Sequence, residues 1–154
     1  MPLGRRMSKD VADLYEADRR LAGTYRDRVA EATAAERALR AAQAAERSEP
    51  EVRELTIAFD GALTAAIEAA EAAERAEIGP KGYAGAGADA KTRRAAEIAT
   101  RRGKAKPAVR PWTDEVDRLR TAREAHRLGY RTVPAVAGAV AGSETRAVTG
   151  SVAS

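Results

Sequence analysis

Cysteine is absent from this chain of 154 residues, which excludes a disulfide framework, a thiolate nucleophile and a cysteine-ligated zinc site. Aromatic residues make up only 4% of the sequence, too few for a large globular core. No stretch has the apolar length of a membrane span or of a signal peptide. We therefore expect no membrane contact, and a location in the cytoplasm, or in a virion if a phage encodes the protein.

Side chains for catalysis or metal binding do not cluster in the sequence. The single histidine, His126, has no carboxylate, serine or second histidine in evident register, so we expect an ordinary surface or edge residue. Glutamates recur at i, i+3 spacing without a histidine, which is typical of a solvated helix face (Glu68, Glu71, Glu74, Glu77). No acid–base pair, nucleophile constellation or metal-ligand spacing is present. We predict a protein that is not an enzyme and holds no metal or cofactor.

Alanine, arginine, glutamate and leucine dominate the first half of the chain, and these residues lose little on entering a helix. Between Lys9 and Arg47 there is no proline and only one glycine, Gly23. Ser8 is a plausible N-cap. Larger apolar residues recur at helical spacing (Val11, Leu14, Leu21, Tyr25, Val29, Leu39). We predict one long first helix.

A marked break follows, and then a second long helix. Ser48 and Glu51 form a capping box, with Pro50 in the first helical turn. The helix then runs until Gly79 and Pro80. Residues 8–78 are therefore predicted to form a long antiparallel helical hairpin, a coiled coil in an all-α protein. Its seam is mostly alanine and buries little area, so we expect it to form a homo-oligomer or to dock on something; the alternative is a solvated spacer.

Charge is distributed unevenly along the chain. Residues 1–78 carry a net charge of −4, residues 79–112 carry +7, and residues 113–154 carry +1. Residues 79–88 have the composition of a flexible Gly-rich linker. Asp89 can cap a short basic helix from Ala90 to Arg102, closed by Gly103 and anchored by Ile98. Residues 104–111, with Pro107 and Pro111, are predicted to be extended.

This basic linker, residues 79–112, is a candidate nucleic-acid arm, because cations along it can neutralise phosphates and release counterions. An acidic protein surface would serve as well. The candidate contacts in the arm are Arg93, Arg94, Arg101, Arg102, Lys104, Lys106 and Arg110.

Residues 113–152 are predicted to form a small C-terminal helical module. Thr113 is a good N-cap, and its helix is expected to run to Leu128, with Gly129 as the C′ residue. Thr132 can cap a second short helix, in which Val133, Val136, Ala137 and Val140 share one face. Ser143 can cap a third helix.

This pattern resembles the helix-turn-helix of small actinobacterial and actinophage DNA-binding proteins, which often follows an Ala/Glu/Arg-rich helix. The residues that carry the resemblance lie within 125–150: Ala125, Gly129, Thr132, Val136, Ala137, Val140, and the run from Ala141 to Arg146. Ala141 and Gly142 stand where the family has Gly-Val. The resemblance implies that Thr145, Arg146 and Thr149 face the major groove, with Arg146 on guanine. Arg127 and Arg131 would contact phosphates. The alternative is an Ala/Val/Gly/Ser/Thr tail that is disordered or orders on a partner.

Two functional hypotheses follow. The first is a DNA-binding accessory or regulatory protein, dimerised by the hairpin, with the basic arm on phosphates and the helix-turn-helix on bases. The second is a non-enzymatic structural or assembly protein, such as a phage virion or scaffold component, whose hairpin packs against other subunits. A compact helix pair in residues 132–152 would favour the first hypothesis.

Overall fold

The computed structural model describes residues 7–132, and all of the regular structure in that range is helical. This confirms the all-α class. The helices are α1 (Lys9–Ala22), α2 (Tyr25–Ala44), α3 (Glu49–Ile78), α4 (Ala90–Lys104) and α5 (Arg110–Thr132), with a 3₁₀ turn at Pro80–Gly82.

The predicted first long helix is two helices, because the α-helical hydrogen-bond pattern is interrupted at Thr24, whose N–H bonds to Leu21 O three residues earlier. Gly23 N–H bonds to the carbonyl of Arg19, and Thr24 Oγ1 donates to the carbonyl of Leu21 at 2.7 Å. The hydroxyl of Thr24 thus binds a carbonyl of the preceding helix, α1, and does not cap α2. The glycine that the prediction passed over therefore marks a real break.

The central element is α3, which is contacted by α1, α2, α4 and α5. Ser48 caps it as predicted, accepting a hydrogen bond from the amide of Glu51, and Gly79 follows its last turn with φ of 99°. The main core joins α2, α3 and α5 through Leu39, Phe59, Leu63, Ile67 and Leu119. Ala66 and Ala70 within it have no exposed surface, so the neighbouring helices lie close to α3.

The α5 helix covers part of the apolar surface that α2 and α3 leave open. Val116 and Leu119 are buried in the shared core, and Trp112 packs against it. Polar contacts continue along α3, from Arg120 with Glu71 to Arg127 with Asp60. The apolar surface of the α2–α3 pair was expected to be buried against another molecule. It is thus partly buried by α5 of the same chain.

Three local predictions around α5 are wrong. Residues 104–111 are not extended: Lys106 N–H bonds to Gly103 O at 2.9 Å and Val109 N–H bonds to Lys106 O at 3.0 Å, forming compact turns. Val109, which is fully buried, holds these turns against the fold. The α5 helix begins at Arg110, three residues before Thr113, because Pro111 lies in the first turn where no N–H is needed. Gly129 does not end α5, which continues to Thr132.

Among the helices described, none has both the length and the apolar content needed to cross a membrane. The predicted short helices after Thr132 lie outside the described residues, as do Thr145, Arg146 and Thr149.

Candidate nucleic-acid interface

The α4 helix presents a row of cations to solvent. Lys91, Arg94, Arg101 and Arg102 are exposed and fall at i, i+3, i+10 and i+11, which places them on one face of the helix. We call these four residues the basic stripe. None of them has a carboxylate partner within 4.0 Å among residues 7–132. The stripe is therefore a surface of unneutralised positive charge.

Small residues hold α4 against the body of the protein. Ala96 and Gly103, seven residues apart on the face opposite the stripe, are the buried residues of this helix. A Cβ on Gly103 would lie 2.7 Å from Ile78 Cγ2, so the glycine permits the close crossing of α4 and the end of α3. Ile98 was predicted to anchor α4, but it is 43% exposed. It lies within the stripe face, because the close crossing leaves room only for small side chains on the other side.

The ends of α4 are fixed by charged groups. Asp89 Oδ1 accepts a hydrogen bond from the Thr92 amide at 2.7 Å, and hydrogen bonds from the side chain and the amide of Thr92 lower the pKa of Asp89. At the other end, Lys104 Nζ lies 3.4 Å from Glu74 of α3. Lys104 was a predicted phosphate contact, but here its charge is paired. Glu74 is consequently not part of a purely solvated glutamate face.

A three-residue cluster ties the segment before α4 to the bundle. Asp18 accepts two hydrogen bonds from Arg75, at 2.8 and 2.9 Å, and one from the hydroxyl of Tyr83 at 2.5 Å. Burial raises the pKa of Asp18, but the hydrogen bonds from Arg75 and Tyr83 outweigh it, so the pKa is lowered overall. Because Tyr83 follows the 3₁₀ turn, residues 79–88 are anchored here and do not form a free linker.

The remaining predicted contacts fall into three groups. Arg93, Lys106 and Arg110 are exposed outside the stripe and form no ion pair within residues 7–132. Arg127 is held by Asp60, with its Nε 2.7 Å from Oδ1 and its Nη2 3.2 Å from Oδ2. The bond from Arg127 lowers the pKa of Asp60, so this arginine would have to leave a stable ion pair to reach a phosphate. Of the predicted contacts in 127–149, the structure describes the surroundings of Arg127 alone.

A groove of about 1140 Å³ lies on another side of the bundle, between α2 and α5 with α3 beneath. The two walls meet at one end, where the Tyr25 hydroxyl donates to Glu115 and its ring packs edge-to-face on Trp112. Burial and the contact with Glu115 raise the pKa of Tyr25 to about 12. The floor is apolar and charged side chains occur on the rim; the lining includes Val29, Leu39, Val52, Phe59, Leu63, Ala122, Glu36, Arg40 and Arg53.

His126 lines this groove and is half-buried, so of the two predicted positions, surface or edge, it occupies an edge. Its Nε2 lies 3.0 Å from the carbonyl oxygen of Thr56, and its ring packs edge-to-face on Phe59 with centroids 4.6 Å apart. Two further residues of α3 contact arginines of α5: Thr64 contacts Arg123, and Glu71 contacts Arg120. No group of three or more potential metal ligands occurs within residues 7–132.

Sequence reasoning found most of the stripe but missed Lys91, although its position three residues before Arg94 indicated the shared face. It also missed the groove, which depends on how α5 packs and has no local signal. Comparison of the chain with protein-family models, with curated proteins and with solved structures gives no match.

Proposed function

We propose that the protein is a non-enzymatic DNA-binding accessory protein that contacts the phosphate backbone through α4. The single observation that carries this proposal is the basic stripe, which is exposed and has no carboxylate partners in the described structure. Phosphate contacts of this kind give affinity that is independent of sequence and falls steeply with salt. An arginine-rich helix face is well suited to them, because the guanidinium fork pairs with phosphate oxygens.

The geometry of α4 supports this assignment in two ways. The helix is fixed to α3 by Gly103 and Ile78, so its cations are presented by a rigid element. Residues 1–78 carry a net charge of −4 and residues 79–112 carry +7, so a duplex is attracted to α4 more than to the helices before it. DNA should therefore approach in one orientation.

The base-reading part of the proposal rests on the resemblance of residues 125–150 to a helix-turn-helix. Thr145, Arg146 and Thr149 remain its predicted base contacts, and Arg131 a predicted phosphate contact. Dimerisation through residues 8–78 likewise remains a prediction, and it would place two stripes on one duplex.

The proposal is tested by fluorescence anisotropy of a labelled duplex with a stripe variant, Arg94→Gln, Arg101→Gln and Arg102→Gln. The matched control replaces three exposed arginines of the acidic half, Arg26→Gln, Arg37→Gln and Arg47→Gln. Both variants lose the same charge, so they separate a local contact from a net-charge effect. At about 0.1 M salt we expect the stripe variant to lose roughly tenfold or more in affinity and the control to change much less. Equal losses, or no binding by the unaltered protein, would refute the proposal.

A second candidate function, a structural or assembly protein, is favoured by the same charge separation. The acidic residues 1–78 of one copy and the basic residues 79–112 of another are complementary, and such a head-to-tail contact can be repeated. Light scattering without DNA tests this: assembly at low salt that is lost in the stripe variant would favour it over DNA binding.

A further inference from the structure

We propose that the groove between α2 and α5 is the binding site for a segment of the same chain, residues 133–143. The packed segment would add a fourth element to the α2–α3–α5 bundle. The inference goes beyond the proposed function and does not depend on its phosphate contact, because the groove and the basic stripe share no residue.

The first argument is where the chain leaves α5. This helix runs antiparallel to α3, since Arg120 contacts Glu71 while His126 reaches Thr56. It therefore ends at Thr132 near the start of α3, at the open end of the groove, and Gly129 and Tyr130 already line the groove. Pro134 disfavours helical geometry at Val133, which favours an end of α5 before this residue. A turn at this point would direct the following residues along the groove.

The second argument is the composition of the segment. Residues 132–143 carry no charged side chain, and this is the longest uncharged run in the sequence. Burying the valine and alanine side chains of this segment away from water is favourable, and these side chains are small enough to fit between two helices. Val136 and Val140 are four residues apart, so in a helix they share the face that would lie on α3.

The third argument concerns length and tethering. The groove follows α2 from Val29 to Gln43, about 20 Å, and residues 134–143 would span about 15 Å as a helix. A segment on a short tether has an effective concentration of order millimolar, whereas a second copy is present at micromolar concentration in dilute solution. The chain's own segment therefore outcompetes the same segment from another copy.

The same residues belong to the predicted helix-turn-helix, so packing in the groove and an independent module are alternatives. Paramagnetic broadening in the full chain separates them, and the absence of cysteine allows one nitroxide at an introduced Gln43→Cys in the groove. The control label is at Lys81→Cys, an exposed residue in the 3₁₀ turn beyond the other end of α3. We expect the amide signals of residues 133–143 to broaden with the first label and not with the second. Signals broadened by neither label would overturn the inference, whether the segment is folded elsewhere or unstructured.

A mixed sample tests whether the segment comes from the same molecule. Isotope-labelled protein without a nitroxide is combined with nitroxide-labelled protein without isotopes, and no broadening is expected. Broadening in this sample would mean that a second copy fills the groove and would overturn the inference.

A substitution in the segment gives a second readout without touching the described helices. Val136→Asp with Val140→Asp should abolish the broadening and lower Tm by roughly 3–6 °C, because charge does not enter an apolar groove. Ser151→Asp, beyond the segment, should change neither quantity. An unchanged Tm and unchanged broadening in the valine variant would contradict the proposal.

Discussion

Asp18 makes contacts far along the chain, because it joins α1 to Arg75 of α3 and to Tyr83 beyond the 3₁₀ turn. Its side chain is only 13% exposed. Hydrogen bonds to a charged group contribute more than those between neutral groups, and removing one partner leaves the others unsatisfied. Neither the spacing of Asp18 nor its neighbours in sequence indicated this role.

We expect Asp18→Asn to lower the free energy of unfolding by about 1–3 kcal/mol at pH 7, with Asp13→Asn on the exposed side of α1 as the control. The folded pKa of Asp18 lies below its ordinary value of 3.8. Its contribution is therefore present above that value and lost as pH falls through the folded pKa. Denaturant unfolding from pH 7 to pH 2 measures this. A difference between Asp18→Asn and wild type that stays constant down to pH 2 would contradict the linkage.

Replacing a glycine by alanine should have opposite effects on stability in α4 and in α3. At Gly103 the new Cβ would lie 2.7 Å from Ile78 Cγ2, so Gly103→Ala should destabilise the fold by about 1–3 kcal/mol. At Gly61, within α3, nothing lies within 4 Å, so Gly61→Ala should stabilise it by about 0.5–1 kcal/mol through helix propensity. Thermal unfolding of the two variants checks both signs, and a stabilising Gly103→Ala would show that the α3–α4 crossing is not close.

At the scale of elements, α3 organises the molecule because its neighbours can approach its alanine-rich surface closely. We expect Ala66→Leu to destabilise the protein by about 1–3 kcal/mol, since Ala66 has no exposed surface and the larger side chain has no space. Ala58→Leu, on the exposed side of the same helix, should change stability by no more than about 0.5 kcal/mol. Chemical denaturation measures both. Equal effects at the two positions would mean that close packing on α3 is unimportant.

The boundaries of α3 were predictable from sequence because its signals are local. Ser48, Pro50 and Glu51 specify the start, and Gly79 with Pro80 specifies the end. The start of α5 has one local signal, Pro111, but it also depends on packing that the sequence does not show: Val109 is buried by tertiary contacts, and Trp112 packs on the core. Gly129 read as a helix end, but a single helical glycine costs only about 1 kcal/mol, which is less than the contacts of α5 supply.

The candidate sites show the same division between local and tertiary information. Most of the basic stripe was predictable, because residues at helical spacing share a face wherever the helix is placed. The exposure of Ile98 and the pairing of Lys104 with Glu74 depended on how α4 crosses α3. The groove depended on the packing of α5 and was not predictable from any single segment.

At the scale of the whole molecule, acidic and basic surfaces lie on different parts of one chain. A net charge of −4 over residues 1–78 and +7 over residues 79–112 makes the charge distribution of the protein asymmetric. The proposed DNA contact uses the basic part, while the groove and its proposed segment complete the bundle. The two proposals therefore predict separable phenotypes: stripe variants should lose DNA affinity and keep Tm, and Val136 and Val140 variants should lower Tm.

The most direct test of the central claim, that the basic stripe binds phosphates, is the salt dependence of duplex affinity. The logarithm of the association constant should fall linearly with the logarithm of salt concentration, with a slope of about −3 or steeper for the unaltered protein. The variant Arg94→Gln, Arg101→Gln and Arg102→Gln should reduce the magnitude of that slope by about 2–3, since each lost phosphate contact removes about one. A slope near zero, or the same slope in both proteins, would contradict the account.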